Sequence, residues 1–335
     1  MTGRAAVLGA GSWGTALAVH LARVGHDVRL WARDAATVRD IHARRANAVY
    51  LPDIHLPDPV VPTASLEDAV ADTELVVCAI PSHGCRAVMR AVAPHLTRGA
   101  ILVSATKGLE TDSMLRMSEV IAYEAGDRHP VAVLSGPSFA IEVAQQMPTA
   151  VVVASHDSEA MERVQAQFKG ASFRVYGSAD VVGVELCGAL KNVIAIAAGV
   201  VEGSGLGHNA LAALITRGLA EIARLTTAAG GRRETPAGLS GLGDLVLTCT
   251  GSLSRNRHVG IELARGRQLG DIVSSMKMVA EGVRTTGAAL ALAAKYQVEL
   301  PIATQMAAVL DGRTDVRTGI EALMLRRQRS ESEPT

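Results

Sequence analysis

The chain has 335 residues, 48% of them hydrophobic and 20% charged, which suits an ordinary globular protein with room for two separate cores. Its 33 basic and 33 acidic residues balance. That argues against a chain built mainly to bind nucleic acid or an anionic membrane, and leaves room for a local basic pocket.

The short apolar stretch from Arg4 to Gly9 reads as a strand. It leads directly into Gly9-Ala10-Gly11-Ser12-Trp13-Gly14 and then a helical stretch from Thr15. Strand, G-x-G-x-x-G, helix is the order that dinucleotide binding requires. Gly9 permits a tight turn, Gly11 lets backbone approach a pyrophosphate, and Gly14 lets the helix pack close to the strand. The helix start then offers N–H groups and a positive dipole end to phosphate. A second strand, 26–32, ends in Ala32-Arg33-Asp34. Arg33 is placed to pair with a 2′-phosphate, while Asp34 is read as the cap of a helix starting at Ala35 rather than a ribose ligand. NADP is the expected preference, with NAD also used.

Residues 47–53 read as a proline-marked loop, in which Tyr50 either borders the cofactor or packs the loop. Strands are expected at 75–81, 101–106, 131–134, 150–154 and 173–176. Ser82 reads as a helix cap, and Ser138 as a cap or a donor. Lys107 falls at the carboxyl end of a strand, where open α/β sheets hold ligands. Gly136 and Ser138 would offer a backbone N–H and a hydroxyl. This alternation predicts a doubly wound α/β domain over 1–178.

Beyond 178 helical periodicity takes over, at 181–200, 208–229, 255–265, 283–296 and 301–311, so 179–335 is expected to be a helical domain. The first of these helices is apolar and carries a single lysine. At helical spacing Val184, Gly188, Lys191 and Ala195 share a face, with Glu185 and Asn192 beside it. Such a lysine must be paired, must lose its proton easily, or must snorkel to solvent. Gly238 to Leu245 reads as a loop whose glycines let backbone approach a ligand. Ser254 reads as an N-cap, with Arg255, Asn256 and Arg257 crowding donors around the helix start as an anion site. Glu281 either caps the next helix or reaches the nicotinamide end of a cofactor. The tail from about 326 is charged and expected to be disordered.

The four cysteines, Cys78, Cys85, Cys187 and Cys249, form no C-x-x-C pair, and no histidine stands at zinc-ligand spacing. Free thiols in a reducing cytoplasm, and no metal, are expected. No cleavable leader is read at the N-terminus. No stretch is read as long and apolar enough to span a membrane, the nearest being 193–201.

Taken together, GAGSWGTALA at 9–18, YLP at 50–52, SATKGLE at 104–110, LSGPSFA at 134–140, ELCGALKNVIAIAAG at 185–199, GLSGLGDLVLTCTGSLSRN at 238–256 and AEGVRT at 280–285 resemble the bacterial-type NAD(P)-dependent glycerol-3-phosphate dehydrogenase family. The resemblance spans nearly the whole chain. It implies a Rossmann-type domain followed by a helical one, cytoplasmic location, and a homodimer. The implied reaction is hydride transfer between NAD(P)H and dihydroxyacetone phosphate, giving sn-glycerol 3-phosphate for phospholipid synthesis. Lys191 matches the family's proton acceptor. Lys107, Gly136, Ser138, Asp244, Ser254, Arg255 and Asn256 match its substrate contacts. Ser12, Trp13, Arg33, Tyr50, Lys107, Ala140, Arg255, Val279 and Glu281 match its cofactor contacts, beside the three glycines. In that scheme desolvation and Lys107 push Lys191 toward losing its proton, Asp244 orients it, and Arg255 with Asn256 grips the phosphate. A related hydroxy-acid or 2-ketopantoate-type reductase, and a non-catalytic NADP(H) sensor, are the alternatives.

Overall fold

The computed structural model describes residues 3–276, 278–328 and 330. Most of the tail expected to be disordered, 329 and 331–335, lies outside the described residues. Two compact units divide the chain: Met1–Lys107 with Arg116–Val181, and Gly108–Leu115 with Val182–Thr335. The sequence reading keeps Gly108–Leu115 in the first domain. Instead this segment belongs to the second unit, where Leu109 is part of the apolar core.

In the first unit the strands are β1 (Arg4–Leu8), β2 (Asp27–Trp31), β3 (Ala46–Asn47), β4 (Leu51–His55), β5 (Val60–Thr63), β6 (Leu75–Cys78), β7 (Ile101–Ser104), β8 (Val131–Ser135), β9 (Thr149–Ser155) and β10 (Phe173–Ser178). Eight of these form one sheet in the order β10-β9-β8-β7-β6-β1-β2-β5. Its pairings are parallel except β8 with β9. Helices α1 (Ser12–Arg23), α2 (Ala35–Arg44), α3 (Leu66–Val70), α4 (Ser82–Val92), α5 (Met117–Ala125), α6 (Ala140–Ala144) and α7 (Ser158–Phe168) connect the strands. Central strands β6 and β7 are buried at every residue, which is why they are continuous apolar runs rather than alternating ones. Leu8 is in register with Trp31 and Cys78, and Cys78 with Ser104. The carboxyl ends of β1, β2, β6 and β7 therefore share one rim.

Three expectations need correction here. Residues 47–53 are not an open loop: β3 and β4 pair as a small antiparallel ribbon. Val60–Thr63 adds a sheet strand that the reading missed. Both runs contain a proline, Pro52 and Pro62, which a strand tolerates where one side has no ladder to feed, and β5 ends the sheet. Ser82 lies inside its helix, capped by Pro81 without a side-chain bond. Ser138, read as a cap or a donor, is the donor: the helix after it is capped by Phe139, and its hydroxyl donates to the Gly136 carbonyl. Asp34 does cap α2, accepting from the Ala36 and Thr37 N–H groups.

The second unit holds α8 (Val181–Gly203), α9 (Gly207–Ala228), α10 (Asp244–Thr250), α11 (Arg255–Ala264), α12 (Leu269–Ser275), α13 (Glu281–Lys295), α14 (Pro301–Leu310) and α15 (Val316–Met324). At 23 residues α8 is, by length and composition, apolar enough to cross a bilayer, against the sequence reading. Its apolar side chains are instead almost wholly buried as the core of this unit. Helix α11 lies against it backbone to backbone. A Cβ built on Gly199 would stand 1.9 Å from the Arg257 carbonyl oxygen, and one on Gly260 would stand 1.9 Å from that of Ile196. Residues 238–245 are also more ordered than expected. Leu239–Gly243 forms a π-helical turn that runs into α10. Gly241 serves close packing there, since a Cβ on it would lie 2.0 Å from the Pro236 carbonyl oxygen.

Candidate active site

The β1–α1 turn has the geometry that its glycines demand. Gly9 sits at φ +113°, a conformation costly for other residues, and a Cβ on it would press the Ala79 carbonyl oxygen at 2.8 Å. A Cβ on Gly14 would lie 1.8 Å from the Gly9 carbonyl oxygen. A Cβ on Gly11 would meet open space. Gly9 and Gly14 are thus required by the fold, while Gly11 is the position that keeps the outer face of the turn clear. No side chain caps α1, and the Trp13 Nε1–H is buried with no acceptor among the described residues. A clear cradle at an uncapped helix start, beside an orphaned donor, fits a phosphate-bearing dinucleotide.

Asn47, which sequence reading passed over, braces this turn. Its buried amide donates to the Ala10 carbonyl at 2.8 Å and to Thr15 Oγ1 at 2.9 Å. The Ser12 hydroxyl donates to the Tyr50 carbonyl at 2.6 Å, which ties the main chain at half-buried Tyr50 to the turn. Arg33 is exposed and makes no hydrogen bond or ion pair among the described residues. Asp34 spends both carboxylate oxygens on its helix cap and Thr37, as the sequence reading favoured.

Further along the first unit, Lys107 is half-buried rather than a free loop cation. Its Nζ donates to the Gly136 carbonyl at 2.8 Å and lies 3.4 Å from Ser138 Oγ. Ser138 Oγ also donates to the Gly136 carbonyl at 2.9 Å. Gly136 is at φ +132°, where a Cβ would lie 3.0 Å from the Val151 Cα. Ala140 opens α6 and packs on the apolar core.

In the second unit Lys191 is buried in α8, 6% exposed. It does not snorkel. Its Nζ donates to Asp244 Oδ1 at 2.6 Å and to Thr248 Oγ1 at 2.8 Å, and Thr248 donates onward to the Asp244 carbonyl at 2.6 Å. Two of the three ammonium protons are thereby aimed by residues on one face of α10. Thr248 was missed in the sequence, although its i,i+4 spacing from Asp244 was a usable signal.

Ser254 caps α11, accepting from the Arg257 N–H at 3.2 Å. Of the donors expected around this helix start, only Arg255 is exposed. Protein packed around its guanidinium lowers its pKa from the ordinary value, and the Glu281 carboxylate opposes that. Arg257 pairs with Glu202. Asn256 is turned inward, donating to Asn192 Oδ1 at 2.9 Å and accepting from the Gly282 N–H at 2.9 Å. It therefore ties α8, α11 and the start of α13 together. Glu281 is the first residue of α13, whose cap is Ala280, and Val279 is half-buried in the segment before it.

Two family models match the chain: the NAD-dependent glycerol-3-phosphate dehydrogenase N-terminus over residues 4–161, and the C-terminus of the same family over residues 180–321. The chain belongs to the NAD-dependent glycerol-3-phosphate dehydrogenase family. Among its relatives, a glycerol-3-phosphate dehydrogenase [NAD(P)+] of Koribacter versatilis is 54% identical over 327 residues, covering 96% of this chain and 97% of the relative. One from Acidobacterium capsulatum is 52% identical over 336 residues, with 98% and 99% covered. The crystal structure of glycerol-3-phosphate dehydrogenase from Coxiella burnetii has the same fold, with a TM-score of 0.93 at 40% identity, covering 97% of this chain and 99% of that one.

Proposed function

We propose that this member of the family is an NAD(P)-dependent glycerol-3-phosphate dehydrogenase that interconverts dihydroxyacetone phosphate and sn-glycerol 3-phosphate, supplying the latter for phospholipid synthesis. The observation that carries the reading is the Lys191 amine, buried and aimed by Asp244 and Thr248, in a chain of this family. NADPH or NADH supplies the hydride when bound. Lys191 delivers a proton to the carbonyl oxygen in reduction and removes it from the hydroxyl in oxidation. Asp244 and Thr248 hold the amine in one direction through the cycle, so little reorganisation accompanies proton transfer.

The guanidinium of Arg255 takes the substrate phosphate, at a helix start that Ser254 caps and Asn256 anchors. Lys107 and Ser138, held on the carbonyl of Gly136, are the first unit's contribution to the anionic substrate. Gly9, Gly11, Ser12, Trp13, Gly14, Arg33, Tyr50, Lys107 and Ala140 hold the dinucleotide from the first unit, and Arg255, Val279 and Glu281 from the second. The preference for NADP is supported by an exposed Arg33 beside an Asp34 committed to capping. Dinucleotide binding belongs to 1–178 in this reading, and proton transfer to 179–335. Four buried thiols outside any disulfide accord with a cytoplasmic setting. Homodimer formation rests on the resemblance and is tested by sedimentation.

The deciding experiment follows NADPH absorbance with dihydroxyacetone phosphate as substrate. Substrate-dependent loss of absorbance is the expected result. Turnover of a 2-keto acid in its place would assign the chain to a different reductase, and dinucleotide binding with no turnover would make it a sensor.

A further inference from the structure

The first unit contains a pair of thiols that the dehydrogenase reading does not use. Cys78 ends β6 and Cys85 closes the first turn of α4. Both are buried, and their sulfurs stand 3.7 Å apart in a thiol–thiol hydrogen bond. We propose that Cys78 and Cys85 form a reversible dithiol–disulfide site, oxidised by hydrogen peroxide, whose closure disturbs the dinucleotide-binding turn.

The chemistry balances with peroxide as the oxidant. The Cys78 thiolate attacks one peroxide oxygen, the O–O bond breaks, and hydroxide leaves to become water, giving a sulfenic acid. The Cys85 thiolate then attacks that sulfur, the S–O bond breaks, and a second water departs as the disulfide forms. The two thiols lose two electrons and two protons, and the peroxide gains them. Burial keeps bulky reagents out and selects an oxidant of water size. Cys78 is the nucleophile in this order. The Cys85 hydrogen bond lowers its pKa from the ordinary thiol value, and burial only partly offsets this.

The consequence follows from what surrounds the pair. The sulfurs must approach from 3.7 Å to about 2 Å, which draws α4 toward the end of β6. Between them runs the turn 79–81. The Ala79 N–H bonds the Leu8 carbonyl at 2.9 Å, and the Ala79 carbonyl oxygen sits where a Cβ of Gly9 would touch it at 2.8 Å. The Ile80 carbonyl accepts from Thr106 Oγ1 at 2.6 Å, next to Lys107. Moving this turn therefore moves the support under Gly9 and Gly14. The disulfide itself is independent of the proposed activity; only its effect on NADPH rests on that reading.

The test treats the full chain with hydrogen peroxide, then measures intact mass, disulfide-linked peptides and NADPH affinity by fluorescence titration. The expected result is a loss of about 2 Da, a single linked peptide joining Cys78 to Cys85, reversal by dithiothreitol, and several-fold weaker NADPH binding. The Cys85→Ser chain should instead gain oxygen at Cys78 and lose no hydrogen pair. Four thiols left intact under peroxide that consumes a small free thiol would overturn the proposal. So would a linkage through Cys187 or Cys249. A linked peptide with unchanged NADPH affinity would refute the coupling to the turn. Failure of the reduced chain to bind NADPH would count against the dehydrogenase reading alone.

Discussion

Replacing Glu221 by glutamine should change how stability depends on pH. Glu221 is buried in α9, and its carboxylate accepts from the first turn of α14: the Ile302 N–H at 2.6 Å and the Ala303 N–H at 3.3 Å. Burial pushes its pKa from 4.5 up to about 7, against the lowering effect of those two N–H groups and of Arg224 and Arg326. A carboxyl whose pKa is higher in the folded chain than in the unfolded one gives its full stability below the unfolded value and loses it as pH rises through the folded value. From pH 4.5 to about 7, the folded chain therefore loses about 3 kcal/mol to this one group. Glutamine keeps an oxygen for Ile302 but turns an amide toward Ala303, which costs about 1 kcal/mol at every pH. Glu221→Gln should be about 1 kcal/mol less stable than the parent near pH 4, about equal to it near pH 5, and about 2 kcal/mol more stable at pH 8. Urea unfolding of both chains at matched pH measures this. The difference between them is the readout, because His20, whose pKa is lowered by burial, tilts both curves the opposite way. Parallel curves across pH 5 to 8 would refute the assignment of a titrating carboxyl at Glu221.

Lys191→Met should lower kcat by at least about a hundredfold while leaving NADPH binding unchanged; turnover within a few-fold of the parent would remove the proton role. Arg255→Ala should chiefly raise KM for dihydroxyacetone phosphate, and an unchanged KM would place the phosphate elsewhere. Arg33→Ala should weaken NADPH by about tenfold and leave NADH affinity as it was, read by fluorescence titration. Gly260→Ala should destabilise by about 3 kcal/mol or more, since its Cβ would lie 1.9 Å from the Ile196 carbonyl oxygen. Gly270→Ala in α12, where a Cβ meets open space, should instead be neutral or stabilise by up to about 1 kcal/mol. The urea midpoints of the two glycine variants should move in opposite directions or differ by that margin.

What could be read without coordinates was whatever the chain announces locally. Three glycines at fixed spacing after an apolar strand, an aspartate before a helix, and one lysine in an apolar run each carry their reason in their neighbours. Partners brought together by folding carry none. Asn47 reaches back to Ala10 and Thr15 across more than thirty residues, and Lys191 meets Asp244 and Thr248 from more than fifty away. Local propensity also misled where context overrode it. The glycines of 238–243 suggest a loop open to a ligand, yet Gly241 is small because the Pro236 backbone occupies the space. Arg257 looks like an anion ligand until Glu202 is beside it. The prolines at 52 and 62 concealed strands because edge positions do not ask for the missing N–H.

The contact between α8 and α11 leaves no side chain to act as a shim. Where Gly199 and Gly260 bring two backbones together, no rotamer can turn to absorb a small displacement, so the contact resists one helix sliding on the other. Lys191 and Arg255 are mounted on this pair, one on each helix. The spacing between the backbone positions of Lys191 and Arg255, the two residues proposed to move the proton and to take the phosphate, is thus set by main-chain contact. A substrate one carbon longer or shorter would meet the same spacing. One methyl group at Gly199 or Gly260 would therefore do what no change of Lys191 or Arg255 can: shift the two backbones on which both are mounted.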